Sequence, residues 1–373
     1  MYIVILITAA ALWLAYSNGA NDNFKGVATL YGSDTLSYKG ALWWATATTF
    51  AGSIVSIFAA HKLIAAFSGK GLVPDAIAGS PTFAAAVGCG AAVTIFVATY
   101  IGMPTSTTHA LIGGLLGTGL AANATIHTGA LITKFAIPML TSPLLAIAIA
   151  SILYVILRGL RRKLGVTKET CICLADGSLQ PVQLGGEQTA ALAAPQLEVA
   201  VGETANCVQR YRGSVVGIDT QSSLNVMHYL SAGAVCFSRA VNDTPKIAAL
   251  LLTTAAISPT VGIAVIGVAI VVGGLIQSRR VAETMSKRIT ELNTGQGFTA
   301  NITTAALVLF ASNLGVPVST THVSCGSIFG IGMANRSCQW KTTRGILATW
   351  ITTLPAAAVL SGLLYLVLDS IIG

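Results

Sequence analysis

Charge is what this sequence lacks. Asp, Glu, Lys and Arg make up 9% of its 373 residues, against roughly a quarter in a soluble domain. That scarcity excludes an ordinary water-soluble globule. With 54% of residues hydrophobic and a mean hydropathy of +0.75, it leaves a chain embedded in a bilayer. Cysteine is sparse and scattered. Cys89, Cys236 and Cys325 stand in apolar runs, as small packing residues do. Cys171, Cys173 and Cys207 lie in a polar segment, where C-x-C is not a zinc spacing. A disulfide framework is excluded, and reduced thiols are expected. No Lys or Arg precedes the first apolar run, so the basic flank of a secretory leader is missing. The net charge of +8 is dispersed, and no nucleic-acid partner or covalently bound cofactor is expected.

What the sequence does hold is apolar runs of membrane-spanning length. They cover Tyr2–Tyr16 leading into an interrupted segment, Gly40–Ala60, Thr82–Ile101, Phe135–Leu157, Ala256–Ile276, Phe298–Leu314 and Gly345–Leu368. In hydrocarbon every backbone polar group must bond within the chain, and runs this long satisfy that as helices rather than barrel strands. The expected fold is an all-α polytopic membrane protein.

The chain also repeats itself. Tyr16-Ser-Asn-Gly-Ala-Asn-Asp-Asn-Phe-Lys25 matches Phe237-Ser-Arg-Ala-Val-Asn-Asp-Thr-Pro-Lys246 in its aromatic, Ser, Asn-Asp and Lys positions. Gly102-Met-Pro-Thr-Ser-Thr-Thr-His109 matches Gly315-Val-Pro-Val-Ser-Thr-Thr-His322. Two motif pairs in the same order at similar spacing indicate duplication. The expected organisation is a transmembrane repeat at 1–157, an insert at 158–222 and a second repeat at 223–373. Short β-branched runs in the insert (Thr170–Leu174, Gln180–Leu184, Glu198–Val201, Ser214–Ile218) predict a small β-rich unit, with Asp176-Gly177 as a hairpin turn.

Each half reads as an interrupted span carrying Asn-Asp, a second span, a hairpin around Pro-x-Ser-Thr-Thr-His and a last span. An odd number of crossings per half makes the halves inverted repeats. The basic residues test this. With the insert in the cytosol, Lys39, the Arg158–Lys168 cluster, Arg210, Arg212, Arg279, Arg280, Lys287, Arg288, Arg336, Lys341 and Arg344 fall inside, and Lys62, Lys70 and Lys134 outside. Both termini are then expected outside an inner (cell) membrane.

Of the 13 acidic residues, Asp22 and Asp243 lie well inside apolar segments. A carboxylate there is costly unless paired or facing a wet cavity, so both are candidate functional groups. Pairing with the i+3 lysines, Lys25 and Lys246, is the competing structural role. Gly19-Ala20 and Pro245 suit local unwinding, which frees carbonyls for a cation beside Asn21, Asp22, Asn242 and Asp243. This set is the expected Na⁺ site, and protons would need the carboxylates alone. Pro104 and Pro317 end the segments before Ser106-Thr107-Thr108 and Ser319-Thr320-Thr321, where new helices start. Helix N-termini with free amides and added hydroxyls make an anion site. His109 and His322 read as packing groups, and Gln296 as an accessory ligand or a loop residue.

At these residues the chain resembles the PiT family of inorganic phosphate transporters, through Gly19-Ala20-Asn21-Asp22, Asn242-Asp243 and the two Pro-x-Ser-Thr-Thr-His segments. The resemblance implies an inverted-repeat fold and phosphate cotransport with Na⁺ or H⁺ through a central site, with Na⁺ favoured and alternating access as the mechanism. Lys25, Lys246 and Arg239 depart from the family pattern, in which Asn is frequent at the lysine positions and His at the arginine position. A permease for another oxyanion such as sulfate is the nearest alternative, and an intramembrane aspartyl hydrolase a distant one. An enzyme is not expected. Whether the chain forms a homo-oligomer stays open.

Overall fold

The computed structural model describes residues 2–59, 61–177, 196–203, 217–251, 253 and 257–372. They pack as two compact units, Met1–Val155 with His228–Gly373, and Ile156–Met227. The first unit is helical. Its amino-terminal half runs α1 (Tyr2–Asp22), a 3₁₀ turn (Asn23–Gly26), α2 (Ala28–Gly32), α3 (Tyr38–Ala59), the short α4 (His61–Phe67) and α5 (Asp75–Ala78), α6 (Pro81–Tyr100) and α7 (Thr107–Ala121). The single turn α8 (Thr128–Ala130) and a π-helical turn (Leu131–Ala136) then lead into α9 (Ile137–Lys163). The other half runs α10 (Thr220–Leu251), α11 (Pro259–Gln277), α12 (Arg279–Lys287), α13 (Thr294–Leu314), α14 (Thr320–Ala334) and α15 (Trp340–Ile372).

Among the described residues, seven helices are long and apolar enough to cross a membrane, and the seven apolar runs of the sequence fall on them. This is a multi-pass all-α architecture. Its outer shell exposes Trp43, Phe58, Leu140, Ile152, Phe310, Ile351 and Leu363. A water-soluble protein does not present such a continuous apolar surface; a bilayer covers it.

Local chemistry sets the boundaries. Ser80 and Ser258 are extended, and Pro81 and Pro259 follow them in the first turns of α6 and α11, where a missing N–H costs nothing. Gly102 (φ +75°) and Gly315 (φ +73°) reverse the chain between α6 and α7 and between α13 and α14, producing two helical hairpins. Ser106 and Ser319 then cap α7 and α14, accepting from His109 N at 3.1 Å and His322 N at 3.2 Å.

The interruption near the first Asn-Asp motif lies elsewhere than the sequence predicts. Gly19 and Ala20 stay helical, and the α-helix gives way to 3₁₀ geometry after Asp22. Gly19 serves packing instead. A Cβ there would overlap the Ile270 carbonyl on α11, and one on Gly273 would overlap the Tyr16 carbonyl, so the two glycines let α1 and α11 cross backbone to backbone. In the second motif α10 stays helical through Pro245, whose ring nitrogen cannot donate to the Val241 carbonyl one turn back.

The smaller unit carries a three-stranded antiparallel sheet of order β2–β1–β3, with β1 Thr170–Gly177, β2 Gln196–Glu203 and β3 Gly217–Asp219. The predicted turn at Asp176-Gly177 is a correction: both residues extend β1, paired with Leu197 and Gln196. The β propensity of Thr170–Leu174 carries past the dipeptide once a partner strand supplies the ladder. Gln180–Leu184, Cys207 and Ser214–Val216 lie outside the described residues. Asp219 ends β3 and heads α10; amides of Ser222 (3.1 Å) and Gln221 (3.3 Å) donate to its carboxylate and hold it below the usual carboxylate range.

Candidate functional site

The buried charged side chains among the described residues are Asp22, Lys25, Arg239, Asp243 and Lys246. All five come from the two copies of one motif, and all five meet in one polar cluster between the hairpin loops. Asp22 ends α1 and ion-pairs with Lys25 on the adjoining 3₁₀ turn. Asp243 and Lys246 share one turn of α10 and pair at 3.2 Å.

Each pair contacts both hairpins, in matching ways. Lys25 Nζ donates to the Thr105 carbonyl at 2.7 Å and to Thr321 Oγ1 at 2.6 Å. Lys246 Nζ donates to the Val318 carbonyl and to Thr108 Oγ1, both at 2.9 Å. Thr105 and Val318 each precede the capping serine of their hairpin, and Thr108 and Thr321 are the second threonines of the two motifs. Thr321 Oγ1 also donates to Thr105 O at 2.6 Å, and Thr108 Oγ1 to Val318 O at 3.1 Å, so each helix start is stitched to the other loop. The first threonines face the carboxylates: Thr107 Oγ1 lies 3.5 Å from Asp22 Oδ2 and Thr320 Oγ1 3.3 Å from Asp243 Oδ2.

Asn21 and Asn242 anchor the loops. Asn21 donates to Thr99 Oγ1 (2.9 Å) and Met103 O (3.1 Å) and accepts from Thr105 N (3.0 Å). Asn242 donates to Val318 O (3.3 Å) and Asp243 Oδ1 (3.1 Å) and accepts from Ser312 Oγ (3.1 Å). Their side chains are thus committed to holding the Pro-x-Ser turns against α1 and α10. Arg239 is 1% exposed, and its guanidinium donates to Asn18 Oδ1 (3.3 Å) and Thr49 Oγ1 (2.9 Å), while Nε has no hydrogen-bond partner.

Ser106, Thr107, Thr108, Ser319, Thr320, Thr321, Asn21, Asp22, Asn242, Asp243, Lys25, Lys246 and Arg239 are therefore brought together. Gln296 is not. It closes a capping box with Asn293 at the start of α13 and donates to Tyr154 Oη at 3.3 Å. The sequence does not single out Asn18, which donates to Asp22 Oδ2 (3.2 Å) and Thr107 Oγ1 (2.8 Å); its alignment with Arg239 is the signal that finds it. The carbonyls of Thr105 and Val318 leave no trace in a residue pattern.

Chemically, the cluster offers two helix N-termini and their hydroxyls to an anion, beside carboxylates and cations withdrawn from solvent. Interactions among such groups are far less screened than at a surface.

Comparison with known proteins points the same way. The sequence profile of the phosphate transporter family matches residues 18–361. A Rhizobium meliloti protein described as a probable low-affinity inorganic phosphate transporter is 30% identical, over 98% of this chain and 97% of its own length. A Bacillus subtilis protein of the same description is 26% identical, over 100% and 98%. A solved structure titled "The sodium-dependent phosphate transporter" superposes with a TM-score of 0.77 at 21% identity, covering both chains completely, a likeness of fold.

Proposed function

Because the chain belongs to the phosphate transporter family, we propose that it imports inorganic phosphate by cation symport, cycling by alternating access between two inverted repeats. That it is a multi-pass membrane transporter and not an enzyme follows from its relatives and its fold. The finer reading rests on one observation: the reciprocal bonds of Lys25 to Thr321 and of Lys246 to Thr108, each reaching the other half's Ser-Thr-Thr helix start. Such a cluster couples the halves, because neither hairpin can move without breaking bonds to the other half's motif.

In this reading Ser106, Thr107, Thr108, Ser319, Thr320 and Thr321 take the phosphate oxygens, with the amides of α7 and α14 behind them. Asp22 and Asp243, fixed by Asn21 and Asn242, carry the coupling. All of these side chains are buried, as suits the occluded stage of a carrier cycle rather than an open channel. In sequence the two halves flank the 158–222 insert, and the basic-residue bias supports an insert in the cytosol with both termini outside.

Another tetrahedral oxyanion is the second reading, since helix N-termini select charge and shape rather than element. The carboxylates favour phosphate, which keeps a proton to donate at neutral pH where sulfate has none. An acid–base pair of aspartates fits less well, since each carboxylate bonds its own lysine.

Uptake of phosphate into proteoliposomes under separately imposed Na⁺ and pH gradients tests the symport. Accumulation driven by at least one gradient is expected. Uptake indifferent to both overturns it.

A further inference from the structure

The transport scheme above gives Lys25 and Lys246 neither the phosphate nor the coupling ion to hold, yet they occupy its centre. Each ammonium sits among three oxygens of different kinds. Lys25 Nζ has the Asp22 carboxylate, the Thr105 carbonyl and the Thr321 hydroxyl. Lys246 Nζ has the Asp243 carboxylate, the Val318 carbonyl and the Thr108 hydroxyl. A carboxylate, a carbonyl in a turn and a hydroxyl make up the hard-oxygen set that holds a small inorganic cation. Both cages draw oxygens from both halves, and in both a side-chain cation fills the place.

The charge balance agrees. An Asp–Lys pair is neutral wherever its proton sits, so the two pairs together contribute nothing. Arg239 remains, permanently charged, with the neutral partners Asn18 and Thr49 and no ion pair among the described residues. The buried cluster therefore carries one surplus positive charge. A metal cation would add to that surplus. A singly charged anion cancels it.

We propose that Lys25 and Lys246 are tethered cations standing where a coupling metal ion would bind, so that the site takes phosphate, as its monoanion, without Na⁺. Arg239 supplies the balancing charge through Asn18, which links it to Thr107 and Asp22. This rests on the phosphate-transport reading and decides its coupling ion: of Na⁺ and H⁺, the proton remains.

The test is exchange of radiolabelled phosphate across proteoliposomes of the full chain, with equal phosphate on both sides and with Na⁺, K⁺ or N-methyl-D-glucamine as the cation. The wild-type protein is expected to exchange at the same rate in all three. Exchange that requires Na⁺ overturns the inference and leaves the transport reading intact. No exchange in any cation counts against the transport reading itself, and the inference falls with it.

Lys25→Asn and Lys246→Asn each empty one cage. Their exchange should fall at least about tenfold without Na⁺, the scale of lost charge-assisted hydrogen bonds, and recover on adding Na⁺. A folded variant that exchanges at the wild-type rate without Na⁺, or one that Na⁺ does not rescue, overturns the inference. Should both variants fail to fold, the wild-type cation series decides alone.

Discussion

Asn18 and Arg239 hold the same position in two copies of one motif, and they touch: the guanidinium donates to Asn18 Oδ1 at 3.3 Å. The duplicated segments thus meet face to face, and the copies have diverged where they meet. One presents an amide and the other a cation, so the contact is a hydrogen bond rather than a repulsion between two arginines. Asn18 passes the connection on to Asp22 Oδ2 and Thr107 Oγ1. A charge on one half is thereby linked through a single side chain to the carboxylate and helix start of the other.

The carboxylates are the first target. Asp22→Asn leaves the buried Lys25 ammonium without its counter-charge, and Asp243→Asn does the same to Lys246. Breaking one side of such a pair costs about 3–5 kcal/mol, whereas removing both partners is far milder. Each single variant is expected to insert, to unfold at a lower temperature in detergent and to lose gradient-driven phosphate uptake. Asp22→Asn combined with Lys25→Met should regain thermal stability but not uptake. A single variant with wild-type uptake would remove the carboxylates from the mechanism.

Much of this site is visible in the sequence because burial makes charge conspicuous. Four charged side chains in apolar runs at matched offsets, with Arg239 beside the second set, have little reason to exist unless they meet, and the two capping serines follow from Pro-x-Ser-Thr-Thr. What the sequence hides is backbone. Thr105 and Val318 contribute carbonyls, which no residue pattern encodes, and Gly19 looks like a helix breaker when its missing Cβ is needed for contact with Ile270. Asp176-Gly177 looks like a turn when read alone, and the ladder to β2 overrides that local preference.

The threonine hydroxyls give a graded test. Thr108→Val and Thr321→Val keep the shape but remove an oxygen from a lysine's cage and a bond to the facing loop. Each is expected to raise the KM for phosphate about tenfold, near 1.4 kcal/mol, with surface abundance little changed. Thr118 is buried with its hydroxyl unpartnered, so Thr118→Val should leave KM where it is. Equal effects at all three positions would mean that the hydroxyls matter only for packing.

Gly19 tests the α1–α11 crossing. A methyl group there collides with the Ile270 carbonyl, which is backbone and cannot swing aside. Gly19→Ala should lower the unfolding temperature and reduce the yield of folded protein, against the usual gain of about 0.5–1 kcal/mol for Gly→Ala within a helix. Gly159→Ala on α9 meets nothing within 4 Å and should be neutral or stabilising. Differential scanning fluorimetry of the three proteins in one detergent separates these outcomes.

The orientation inferred from basic residues is open to direct measurement. In a chain with its own cysteines replaced, Ser370→Cys should react with an impermeant thiol reagent applied to intact cells. Lys168→Cys should react only after the membrane is opened, if the positive cluster from Arg158 to Lys168 sets the orientation as the basic-residue bias predicts. The reverse pattern would invert both halves and the direction of the proposed import.

Substrate choice follows from which groups accept and which donate. In the proposed site the hydroxyls and amides at α7 and α14 would donate to any tetrahedral oxyanion and so would not separate sulfate, arsenate and phosphate. Asp22 Oδ2 and Asp243 Oδ2 only accept while ionised, and beyond the threonines facing them at 3.5 and 3.3 Å, and Asn18 on Asp22 at 3.2 Å, each carboxylate has a lone pair left for a donor from the ligand. Phosphate and arsenate supply one near neutral pH. Sulfate brings a bare oxygen against a carboxylate, which is repulsive in a site of low dielectric. Excess arsenate should therefore suppress labelled phosphate uptake in proteoliposomes, while sulfate at the same concentration leaves it unchanged. Equal inhibition by both would mean that the carboxylates do not meet the anion, and that selection rests on the helix starts alone.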